Sequence, residues 1–179
     1  MHHHAPQLLI ALVIGAVGLP ALADDMPRSG EYKVLFTGIN SSPMKPLPMG
    51  PNRTVTVSQS TMSALNVTGG GFLHNMAGRC AGMATMDNEA KTFENHGYCV
   101  YADAGGDQIF EKFDYPTQPQ SATPRGTGSW TGGTGKFSGI SGEIEINNTR
   151  VNPMTEGIAQ FTGTKTGRYN FEAVTASAK

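Results

Sequence analysis

The chain predicts an all-β fold: one antiparallel sheet of about eight strands, closed or nearly closed into a barrel. Three observations carry this. No window after residue 23 keeps a 3.6-residue apolar period, whereas several alternate with a period of two and are rich in β-branched and aromatic residues. Between Trp130 and Ile146 the glycines 132, 133, 135, 139 and 142 interleave with strand formers, a pattern that would ruin a helix but suits turns, bulges and corners. Prolines and glycine pairs then divide the alternating segments at regular intervals.

In order, Glu31 to Ile39 is the first strand, with Tyr32, Val34 and Phe36 on one face. Asn40 to Asn52 is a loop, since Pro43, Pro46, Pro48 and Pro51 cannot donate to a ladder. Arg53 to Val67 is a long strand ended by Gly69-Gly70-Gly71, and Phe72 to Met86 follows. The polar run Asp87 to Lys91 connects it to Gly97 to Asp103, and Ala104-Gly105-Gly106 turns into Gln108 to Tyr115. Pro116 to Pro124 is a second loop. Thr127 to Thr131, Gly142 to Asn148 and Gly157 to Glu172 complete the set, and Ala173 to Lys179 is a loose tail.

Residues 1–23 carry no charge apart from three histidines, and Leu8 to Ala23 is almost wholly apolar before Asp24-Asp25. This reads as a secretory signal peptide, too short and too broken by Gly15, Gly18 and Pro20 to span a membrane comfortably. Residues 24–179 then form a single domain of a secreted or periplasmic protein. The 13 basic and 14 acidic residues leave a net charge of -1, which gives no electrostatic case for nucleic acid or an anionic membrane surface. Export permits a disulfide. If the segments flanking Asp87 to Lys91 pair about a turn near Glu89 and Ala90, Cys80 falls opposite Cys99, and the bridge would stabilise by about 3 kcal/mol by chain-entropy reasoning.

Gly132-Gly133-Thr134-Gly135-Lys136-Phe137-Ser138-Gly139-Ile140-Ser141-Gly142 resembles the Gly-Gly-Ser/Thr-Gly-x-Phe-x-Gly-x-x-Gly hairpin of plant allene oxide cyclases and dirigent proteins, calycin-like barrels of eight strands. The resemblance implies an interior that holds an apolar ligand: an epoxy fatty acid in the cyclases, a phenoxy radical pair in the dirigents. It also implies dimers or trimers. Ser42-Pro43 matches a Ser-Pro that enters the cyclase ligand mouth, but Val34, Leu35, Phe36 and Thr37 stand where the cyclases carry polar anchors, and Glu31 is the nearest acid. Asp103, Tyr101 and Arg79 supply the residue types that dirigents bury.

The functional expectation is a non-catalytic barrel binding a small apolar molecule, lined by Tyr32, Val34, Phe36, Met76, Tyr98, Val100 and Trp130. The alternatives are an isomerase or cyclase using Asp103, Glu31 or His74 as acid/base, and a filled structural barrel with no ligand. Asp103 to Asp107 reads as a hairpin turn rather than a calcium loop, because Gly105 stands where an oxygen ligand belongs. His74, His96, Met83 and Met86 read as ordinary interior or rim residues rather than a copper site. No metal and no cofactor is expected. No Gly-x-Ser-x-Gly elbow, His-Glu-x-x-His or phosphate-cradling loop occurs.

Overall fold

Strand β1 (Ser29–Ser41) buries Tyr32, Val34 and Phe36 and exposes the residues between them, so the inward row of a two-residue repeat is apolar from Tyr32 to Phe36. The same alternation shapes β3 (Arg53–Asn66), β4 (Met76–Asp87), β5 (Thr92–Ala102), β6 (Gln108–Pro119), β7 (Arg125–Gly133), β8 (Ile140–Val151) and β9 (Ala159–Phe171). A two-residue strand, β2 (Leu47–Pro48), sits inside the first expected loop and pairs with the beginning of β3. The computed structural model describes residues 26–42, 44–151 and 158–172. The expected signal peptide, Pro43, the proposed start of the last strand at Gly157 and the tail from Ala173 lie outside the described residues.

Consecutive long strands pair antiparallel from β3 to β9, β9 pairs with β1, and β1 pairs with β3. The eight long strands therefore close into an up-and-down barrel with no free long edge, as expected. Large rings can enter because glycines face them: a Cβ added at Gly126 would lie 2.9 Å from the Tyr115 ring, and one at Gly78 would lie 2.7 Å from Tyr101.

Cys80 and Cys99 are opposite in the β4–β5 ladder and form a disulfide, both buried. Their inward position sets the parity of β5, which buries Cys99 and Tyr101. Tyr98 and Val100 are thus corrected: they face outward, 63% and 38% exposed.

Three strand boundaries differ from expectation by four or five residues. Phe72 to Asn75 is a run of turns rather than strand, with Leu73 and Asn75 at positive φ, so the chain can fold back over the barrel end before β4 starts at Met76. Strand β5 starts five residues early, at Thr92 rather than Gly97, because Thr92 to His96 stay in the ladder opposite Met83 to Asp87 of β4. Strand β6 continues through Pro116 to Pro119; beyond Asp114 it pairs only with β5, so a proline on the β7 side loses no ladder bond.

Candidate functional site

One end of the barrel is packed solid. The loop between β3 and β4 drops Phe72 and Leu73 into it, anchored by buried Asn66, whose Nδ2 donates to the Phe72 carbonyl at 2.8 Å. Asn66 Oδ1 accepts from the Thr68 amide at 3.1 Å and the Thr68 hydroxyl at 2.9 Å, which holds the turn shut. Phe72 stacks on Tyr169 at 4.4 Å and meets Tyr32 and Trp130 edge-on at 4.9 and 5.3 Å. Phe137, from a short 3-10 turn in the glycine-rich hairpin, is a second buried plug.

The other end is open. A mouth of about 610 Å³ is lined by Asn40, Phe93, Asn95, Tyr115, Asn148, Arg150 and Phe161, among others. Asn40, Asn95, Tyr115, Asn148 and Phe161 also line a smaller chamber of about 90 Å³ deeper in the lumen, so the two spaces adjoin. The Oδ1 atoms of Asn40, Asn95 and Asn148 are buried there with no hydrogen-bond partner among the described residues. Arg150 lies over Phe93, its guanidinium carbon 5.6 Å from the ring centre.

Glu111 of β6 and Lys165 of β9 also line the chamber and are both buried, 0% and 4% exposed. Lys165 Nζ donates to Glu111 Oε1 at 2.6 Å and Oε2 at 2.5 Å, and to the Tyr101 hydroxyl at 2.6 Å. The Tyr101 hydroxyl lies 3.3 Å from Met62 Sδ. Burial pulls the Lys165 ammonium below the ordinary lysine range, and the Glu111 charge opposes that fall. Burial, then Glu111, holds the Tyr101 hydroxyl neutral to well above the usual tyrosine range. The Tyr32 hydroxyl is raised for the same two reasons.

The three sequence-derived acid/base candidates all lie at the closed end or on the outside, and none lines the chamber or its mouth. Asp103 caps the β5–β6 turn, accepting from the Gly105 and Asp107 amides at 2.8 and 3.0 Å. Lys136 Nζ, 2.5 Å from it, holds its carboxyl below the usual range. Glu31 is on the outer wall, paired with Arg168 at 2.7 Å. His74 sits in the plugging loop rather than on a strand. Among the proposed lining residues, Tyr32, Val34, Phe36, Met76 and Trp130 point inward. Of these, Phe36 borders the chamber.

Sequence reasoning missed Glu111, Lys165 and the three asparagines. Glu111 and Lys165 did carry a signal, since each occupies an inward position in its strand's alternation. A charge there reads as an error in the pattern unless a partner faces it.

No protein-family model matches the chain, and no curated protein does. Among solved structures the chain is similar to the pterocarpan synthase dirigent protein GePTS1, at 14% identity and a TM-score of 0.49, over 82% of this chain and 88% of that one.

Proposed function

We propose that this protein binds a small neutral molecule in the open half of its barrel without turning it over. The observation that carries the reading is the asymmetry of the lumen: one end is sealed by aromatic side chains, and at the other a mouth adjoins a chamber at asparagine oxygens that have no partner among the described residues. A buried acceptor without a donor costs about 1–3 kcal/mol, so a ligand presenting O–H or N–H groups recovers that penalty on binding. Phe93, Tyr115 and Phe161 supply apolar faces for its rings or chains. The ligand is therefore apolar on one side and carries donors on the other, a narrower class than the apolar molecule expected from sequence. Neutrality follows from the Glu111 and Lys165 charges, which already cancel one another.

The isomerase or cyclase alternative loses support, because Asp103, Glu31 and His74 all stand away from the chamber. Export is part of the same reading, supported by the apolar first segment and by the disulfide. So is self-association, supported by Leu35, Leu65, Met83 and Tyr98, which are exposed on the outer wall of β1, β3, β4 and β5.

Native mass spectrometry of protein purified from its own host tests the binding. A retained small molecule that disappears when Asn95 and Asn148 are both changed to Leu is the expected result. Retention unaffected by those changes, or no binding across a set of hydroxylated aromatic and terpenoid compounds, would overturn the reading.

A further inference from the structure

Lys165 is the buried amine of this chamber, and the non-covalent reading above leaves it unused. It lines the lumen within hydrogen-bond distance of a carboxylate, and its Nζ lies 5.6 Å from the centre of the Phe36 ring and 5.0 Å from that of Tyr101. A buried ion pair is often no more stabilising than apolar residues of the same volume, so stability alone is a weak reason for it. Here the pair also faces a space of about 90 Å³. A single water needs only about 10–15 Å³ of such space.

We propose that Lys165 captures small aldehydes reversibly as an iminium ion, with Glu111 as the proton carrier. The Lys165 ammonium passes one proton to the Glu111 carboxylate, and the freed amine lone pair attacks the carbonyl carbon. The C–O π electrons move onto oxygen, which takes a proton from the attacking nitrogen to give a neutral carbinolamine. Glu111 returns its proton to that hydroxyl, the C–O bond breaks, and water leaves as the nitrogen lone pair forms the C=N bond. Ammonium and aldehyde thus become iminium and water, with no oxidant or reductant needed. While Glu111 holds the proton both groups are neutral, and the iminium forms beside the restored carboxylate, so no buried charge is left alone. The asparagine contacts at the mouth are not required for this step.

The test uses the folded wild-type protein, propanal and sodium cyanoborohydride, which reduces the iminium to a stable propyl-lysine. Peptide mapping should place the first propyl group on Lys165, about tenfold ahead of the exposed Lys33, Lys45, Lys91, Lys112 and Lys136. Labelling of those exposed lysines with Lys165 untouched would overturn the proposal. Glu111→Gln should slow labelling at Lys165 and leave the exposed lysines unchanged; equal rates at Lys165 would remove Glu111 from the step. Should that variant fail to fold, the wild-type map still decides. The protein with Asn95 and Asn148 changed to Leu should still capture propanal at Lys165, so loss of ligand retention there and loss of capture here are separate results.

Discussion

Lys165 and Glu111 are 54 residues apart in sequence and separated by two strands in the sheet, yet the Lys165 ammonium lies 2.5 and 2.6 Å from the two Glu111 carboxylate oxygens. Each is the other's only counter-charge among the described buried residues. Lys165→Met should therefore strand a buried carboxylate and cost about 3–5 kcal/mol, whereas Lys165→Met with Glu111→Leu should be close to neutral or stabilising. Urea unfolding of both variants measures the difference. Equal destabilisation by the single and double changes would show that packing volume, not charge pairing, sets the cost.

The Cys80–Cys99 bridge joins adjacent strands across a sequence separation of 19. Changing both cysteines to Ala should lower stability by about 3 kcal/mol, mostly by releasing the unfolded chain. Calorimetry under oxidising conditions checks this. A melting temperature equal to that of the wild type would mean that the unfolded chain stays compact without the bridge.

Gly142 lies in β8 at φ 146°, and a Cβ there would collide with the Arg168 carbonyl on β9. Backbone cannot swing aside as a side chain can, so Gly142→Ala should cost about 2 kcal/mol or more. Gly70 is the control, because a Cβ at that position meets nothing within 4 Å. Denaturant midpoints of Gly142→Ala and Gly70→Ala should differ clearly, and coincident midpoints would refute the collision.

Burial pushes the Tyr115 hydroxyl up to about 12, and the Glu111 charge adds to the rise. Folding thus favours the neutral phenol, and the associated stability is fully present below the ordinary tyrosine value of about 10. It is lost as pH climbs from there through about 12. Lys165 works in the opposite sense: its lowered folded value makes stability rise with pH through its own window. The diagnostic is therefore the difference in slope between wild type and Tyr115→Phe, with the variant flatter across the alkaline interval. Parallel slopes would mean that Tyr115 ionises as freely in the folded protein as in the unfolded chain.

The all-β class, the order of the eight long strands and the Cys80–Cys99 pairing were legible in the sequence, because a two-residue period and the turn chemistry of glycine and proline are local properties. Their midpoint fell at Glu89 and Ala90, within the turn that joins β4 to β5. Which face of a strand lies inside is a different matter. Tyr98 and Val100 are as apolar as Cys99 and Tyr101, and only the bridge to Cys80 chose between the two rows. The mouth was equally hidden, because Asn40 falls in an expected loop, Asn148 ends an expected strand and Asn95 lies between expected elements, and only closure of the sheet brings β1, β5 and β8 around one opening. Glu111 and Lys165 stand at inward positions of separate strands, but the sequence does not show which charge faces which. Only when eight strands meet in a ring do their side chains point at one another, because a lumen is made by pairings between distant segments and by no segment alone.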